Sequence, residues 1–164
     1  MDWNVSVGRT VWGDEDGGDE EDVPVGKASF RIVPDAGTID LLDTMEAVDQ
    51  EMMRVAEMLF HERPDLMRSA GMDLGSDLLL LSSMTVEPRF RGNRMGHAIL
   101  KAILGTVARN IALVILEAAP LLTDDGPEEG TPEHAAAREA LRRYWMNFGF
   151  RQAAGDYLFF LEAA

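Results

Sequence analysis

The sequence predicts an α/β domain built on a mixed, mostly antiparallel central sheet that contains one parallel strand pair and is flanked by helices. Three observations carry this reading. Trp3, Val5 and Val7, and then Ala28, Phe30 and Ile32, alternate with polar residues, the period of half-buried strands. Leu78 to Val86 is an apolar run without alternation, as in a strand covered on both faces. A turn, an amphipathic stripe and a second apolar strand follow it, and this order makes a parallel βαβ unit with a right-handed crossover.

In chain order, the first two alternating segments form an antiparallel pair with a long connection. The connection holds Asp14, Glu15, Asp16, Asp19, Glu20, Glu21 and Asp22, so residues 13–22 read as a solvated loop, with recruitment of a basic substrate as the alternative. Pro34-Asp35-Ala36-Gly37 ends the second strand. Met45, Val48, Met52, Val55 and Leu59 then repeat at helical spacing. This predicts one amphipathic helix, with Asp43 and Glu46 as its capping box and Arg63-Pro64 as its end. Met45, Met52, Met53 and Met58 serve as core filler.

Leu78 to Val86 is placed at the centre of the sheet. Met95, Ala98, Ile99, Ala102, Ile103 and Val107 form the next helical stripe, and Ile111 to Glu117 the second parallel strand. Residues 120–130 form a long loop rich in Pro, Gly and acids. Thr131 then caps a helix with Pro132 at its first position and Glu133 suited to its dipole. Ala137, Ala140, Leu141, Tyr144 and Phe148 share the inner face, Gly149 ends the helix, and residues 156–162 form a closing strand.

With 164 residues, no internal repeat and no second core, residues 1–164 form a single domain. Hydrophobic residues at 46% and charged residues at 27% are the balance of a globular chain. There is no cysteine, which excludes disulfides, thiolate nucleophiles and cysteine-bound zinc. Met1-Asp2-Trp3-Asn4 has no signal-peptide character and no apolar run reaches bilayer length, so a cytoplasmic location is expected and no membrane partner. A net charge of −14 is expected to repel nucleic acid and to favour cationic partners. Scattered His61, His97 and His134 give no metal site, and all three are read as surface or helix-end residues.

The segment with chemistry in it is Val86-Glu87-Pro88-Arg89-Phe90-Arg91-Gly92-Asn93-Arg94-Met95-Gly96, between a buried strand and a helix. A helix starting there leaves backbone N–H groups free at its positive end, where phosphate oxygens bind. Gly92 lets the backbone approach closely, Gly96 clears the first turn, and Arg91 and Arg94 add cationic donors. No Gly-Lys-Ser/Thr follows, and the first glycine of the dinucleotide fingerprint is missing.

Val86, Pro88, Phe90, Arg91, Gly92 and Gly96 match the Val-x-Pro-x-Phe/Tyr-Arg-Gly and following loop of the GCN5-related N-acetyltransferases, and this segment resembles that family. Tyr144-Trp145-Met146-Asn147-Phe148-Gly149-Phe150-Arg151 resembles the family's last helix running into Gly-Phe. The resemblance covers residues 78 to 162 and departs at Arg94, where the family has a glycine. It implies an acyl-CoA N-acyltransferase fold whose parallel strands splay apart to admit acetyl-coenzyme A as cosubstrate. It implies further that Met84, Thr85 and Val86 pair with the pantetheine arm, while Arg91, Gly92, Asn93, Arg94, Met95, Gly96 and His97 hold the pyrophosphate.

Acetyl transfer by direct attack needs a neutral amine, a polarised thioester and a proton for the departing thiolate. The family's acid is a tyrosine four residues before the glycine, where Trp145 stands here; Tyr144 is the candidate one residue earlier, with a buried core tyrosine as the alternative. Glu117, at the end of the second parallel strand, is the candidate base, with Glu87 or water as alternatives. The expected acceptor is a small-molecule or peptide amine, cationic if the acidic segments 13–22 and 124–133 recruit it. An acyl-CoA-binding module with little catalysis and a nucleotide-binding regulatory domain are the competing readings, and a homodimer is left open.

Overall fold

The computed structural model describes residues 1–11, 21–106, 109–124 and 126–162. Most of the expected acidic connection, and Val107 of the expected helical stripe, lie outside them.

The N-terminal pair forms as the alternation requires. Strand β1 (Asp2–Val11) runs antiparallel to β2 (Glu21–Val33), from Asp2 opposite Arg31 to Val11 opposite Glu21. Glu21 and Asp22, expected in the loop, therefore belong to a strand. The apolar run becomes β3 (Asp77–Val86), antiparallel to β2, and β4 (Ile111–Glu117) lies parallel to β3. Two C-terminal strands complete the sheet, β5 (Arg151–Ala154) and β6 (Tyr157–Leu161), in the order β1-β2-β3-β4-β6-β5. The sheet is antiparallel except at β3 and β4, which is the α/β class expected. Strand β5 went unread in the sequence because Arg-Gln-Ala-Ala carries no strand signature; its pairing with β6 makes it a strand.

The strand order matters most where β3 meets β4. Pairing runs from Asp77 opposite Ile111 to Leu81 opposite Leu116 and goes no further. Yet β2 stays paired to β3 as far as Gly26 opposite Val86, and β4 stays paired to β6 as far as Glu117 opposite Tyr157. The two parallel strands thus part beyond Leu81, each held by its outer neighbour. A bulge marks the place: Ser29 faces Ser83 and Phe30 faces Leu81, so Ser82 is an extra residue in β3, and such an insertion bends its strand and raises the local twist. The arrangement is that of the acyl-CoA N-acyltransferase fold.

The long predicted helix is broken. Helix α1 (Leu41–Glu46) is capped by Asp40, whose side chain accepts the Asp43 N–H, and α2 (Gln50–Glu57) by Asp49, which accepts the Met52 N–H. Asp43 sits inside the first turn of α1, so the Asp43–Glu46 capping box is not the start of the element. Two well-placed aspartates stop and restart the helix, and Val48, assigned to the buried stripe, is 54% exposed in the break. A five-residue π turn (Met58–Glu62) and α3 (Pro64–Ser69) follow.

Alternation along the central strands divides the apolar interior in two. Leu79, Leu81, Val114 and Leu116 pack beneath α4 (Met95–Thr106) and α5 (Pro132–Met146), whereas Leu78, Leu80, Leu113 and Ile115 pack beneath α1 to α3. Burying each leucine contributes about 1.5–3 kcal/mol relative to leaving it exposed. The one core expected from the sequence is therefore a pair of layers on either side of one sheet. Thr131 caps α5 by accepting the His134 N–H, and Pro132 occupies its first turn, as expected. Among the described residues no helix is long and apolar enough to cross a membrane.

Candidate functional site

A cavity of about 660 Å³ opens where β3 and β4 part. Its walls come from Leu81 to Val86 of β3, the approach to α4, the chain from Leu116 to Leu121, and Tyr144 and Trp145 of α5. Of the residues singled out in the sequence, Met84, Thr85, Val86, Arg91, Gly92, Arg94, Met95, Gly96, Glu117 and Tyr144 line it, while Asn93 and His97 do not. Ser82, Ser83, Ala118, Ala119 and Pro120 also line it. Sequence reasoning passed over them because small neutral residues carry no chemical signature.

The entrance to α4 leaves a run of free donors. Phe90 and Arg91 donate their N–H groups to the Glu87 and Pro88 carbonyls, and the Ala98 N–H donates to the Arg94 carbonyl as the helix begins. Between them, the N–H groups of Gly92, Asn93, Arg94, Met95 and Gly96 have no hydrogen-bond partner among the described residues. Gly92 has φ +87° and nothing within 4 Å of where a Cβ would stand, so a ligand can lie directly on its backbone. Arg94 has φ +54°, a left-handed conformation that costs a non-glycine residue about 1 kcal/mol. The backbone shape that the resemblance associates with glycine is thus kept, under strain, by an arginine. Arg91 Nε donates to the Val86 carbonyl at 2.9 Å, which ties the turn to the end of β3.

The room over Gly96 is taken by the protein itself. A Cβ there would lie 2.6 Å from Tyr144 Oη and 3.2 Å from Met84 Sδ. The His97 N–H donates to Tyr144 Oη at 3.1 Å, so one helix-start amide is already satisfied.

His97 is not on a helix surface as expected. It is 7% exposed and packed against Tyr144, Trp145 and Phe148. Its Nε2 lies 2.9 Å from the Tyr144 carbonyl oxygen, which can only accept, so Nε2 carries a proton. His134 is equally buried, at the start of α5, while His61 is exposed. His134 does stand at a helix end, as expected, and only His97 departs: an amphipathic histidine on an inner face reads like a surface one until the partner helix is placed. Among the described residues no group of three or more His, Asp or Glu side chains is placed to hold a metal ion.

Glu117 is exposed at the end of β4, directly across from Tyr157. Burial, and next the Glu117 charge, push the Tyr157 hydroxyl up to about 12. A raised folded pKa means its contribution to stability is intact below the unfolded value near 10 and is lost as the pH climbs from there to about 12. In a spectrophotometric titration, replacing Tyr157 by phenylalanine is expected to remove the late-titrating phenol.

No family profile matches the chain, and no curated protein matches it in sequence. Solved structures do. A Drosophila melanogaster polyamine N acetyltransferase matches with 8% identity and a TM-score of 0.45 over 87% of this chain and 71% of its own. AtaT complexed with acetyl-methionyl-tRNAfMet matches with 11% identity and a TM-score of 0.36 over 85% of this chain and 63% of its own. A KacTA–DNA complex matches with 10% identity and a TM-score of 0.41 over 88% and 63%. This chain therefore spans less than two thirds of the AtaT and KacTA chains. The last two matches correct the expectation that nucleic acid is excluded, since both solved complexes contain it. The physical flaw in that expectation is that net charge averages over the surface, whereas Arg89, Arg91 and Arg94 form an exposed basic group in an acidic chain.

Proposed function

We propose that this chain is an acetyl-CoA-dependent N-acetyltransferase that moves an acetyl group to a primary amine by direct attack. The observation that carries the reading is the set of five amides, Gly92 to Gly96, without a hydrogen-bond partner among the described residues, at the mouth of the cleft between parted parallel strands. Bound acetyl-CoA supplies the activated acyl group as a thioester. The amides and the guanidinium groups of Arg91 and Arg94 take the diphosphate. Met84, Thr85 and Val86 offer the arm a strand edge that β4 has left, and a backbone N–H on that edge polarises the thioester carbonyl. Among the described residues Glu117 and Tyr144 are the ionisable groups, apart from the arginines, that line the cavity; Glu117 is placed to take the proton of the amine, and the Tyr144 hydroxyl is held over Gly96 by the His97 N–H.

Ligand-induced stabilisation tests this. Acetyl-CoA is expected to raise the melting temperature in proportion to its concentration, with ATP and NAD giving smaller shifts, because only a ligand of the folded state stabilises by mass action. No response to acetyl-CoA, or a larger one to ATP, overturns the reading. Thiol release is then followed across polyamines, aminoglycosides, basic peptides and an aminoacylated tRNA.

A further inference from the structure

Tyr144 and Trp145 are neighbours on α5 with different surroundings. The Tyr144 hydroxyl is held over Gly96 by the His97 N–H. Trp145 belongs to the same apolar layer as Leu81, Leu116 and Ala118, the residues at which β3 and β4 part, and it also lines the cavity. It is only 6% exposed. Its indole N–H has no hydrogen-bond partner among the described residues, and yet it is not one of the polar atoms sealed from solvent without a partner. A nearly buried donor that is neither paired nor sealed keeps some access to solvent, and the residue that carries it lines the cavity. Buried tryptophan N–H groups ordinarily find a partner, so an unpaired one on a cavity wall is free to take an acceptor from a ligand.

We propose that Trp145 is a catalytic residue, donating its indole N–H to the thioester sulfur as the C–S bond breaks; this rests on the acetyltransferase reading above. An indole is a donor that does not ionise in the working range, so it stabilises the departing thiolate without protonating it. The amine nitrogen forms the new bond to the acetyl carbon, and the electron pair of the C–S bond leaves with sulfur. The proton shed by the amine goes to the Glu117 carboxylate on the cavity wall. The thiolate departs as an anion and is protonated by solvent. The turnover rate is then free of the alkaline decline that an acidic phenol would impose.

The test uses the full chain labelled with ¹⁵N, in which Trp3, Trp12 and Trp145 give three indole signals assigned by single phenylalanine substitutions. With saturating acetyl-CoA the Trp145 signal is expected to move more than the other two. Trp145→Phe is expected to keep acetyl-CoA affinity near wild type while kcat falls roughly 10- to 100-fold, the loss of one hydrogen bond to a charged group. Trp145→Tyr is expected to retain part of that rate and to acquire a decline near pH 10, where a phenol ionises. A Trp145 signal that stays still while the amides of Gly92 to Gly96 shift overturns the proposal. So does wild-type turnover in Trp145→Phe, or an alkaline decline in the wild type that Tyr144→Phe abolishes. If neither the amides nor the indole respond, the acetyltransferase reading falls and takes this proposal with it.

Discussion

Replacing Gly37 by alanine is expected to destabilise the fold by about 3 kcal/mol, the upper end of what overpacking costs, and to lower the melting temperature by roughly 6–12 °C for a chain of this size. A Cβ at this position would stand 2.1 Å from the Met72 carbonyl oxygen, 2.3 Å from its carbon and 2.8 Å from Met72 Cβ. None of these atoms is the free end of a side chain, so the clash is relieved only by moving backbone. That backbone is anchored: the Ala36 N–H donates to the Ser76 carbonyl, the Asp35 N–H donates to Asp77 Oδ1, and Met72 is fully buried. Gly105 is the control. It lies in α4 with nothing within 4 Å of its would-be Cβ, so Gly105→Ala is expected to gain up to about 1 kcal/mol of helix propensity. Denaturant midpoints of the two variants should move in opposite directions, and a neutral Gly37→Ala refutes the packing described between this loop and the turn at Met72.

What the sequence revealed follows the length of its signals. The largely apolar run at Leu78 to Val86 and the stripe after it have one good reading, and both elements formed where expected. Thr131-Pro132 carries start signals that act locally, so α5 also began in place. Residues 41–69 went wrong because the apolar stripe persists across Asp49, and only the distance from the Asp49 carboxylate to the Met52 N–H, 3.0 Å, decides that one helix becomes two. The burial of His97 was equally illegible, since it depends on α5 lying across α4. In the cleft, the phosphate-type turn was readable as a string of residues. The availability of its amides was not, because it depends on which carbonyls lie nearby in space. The parting of β3 from β4 came from the resemblance alone; the bulge that marks it, with Ser82 as the extra residue, is invisible without the register of β2.

Reversing both arginines at the α4 entrance, Arg91→Glu together with Arg94→Glu, is expected to raise the acetyl-CoA Kd by at least about 100-fold. Each guanidinium that meets a phosphate oxygen contributes about 1.5–3 kcal/mol. Because both side chains are exposed, solvent screening holds the pair to the low end of that sum, and the repulsion from two carboxylates adds to it. Wild-type affinity is expected to weaken as salt is raised, and the double variant to have lost that dependence. Arg68→Glu, on α3 and exposed, makes a charge change of the same kind on each residue and is expected to leave Kd near wild type. The single variant Arg94→Gly separates charge from folding. It places glycine where φ is +54°, relieving about 1 kcal/mol of strain, and removes one cation, so thermal stability should rise while acetyl-CoA affinity falls. A rise in both, or a double reversal that binds as the wild type does, would move the diphosphate away from Gly92 to Gly96. Loss of affinity accompanied by gain of stability can come only from a residue retained for its ligand at the expense of its own backbone.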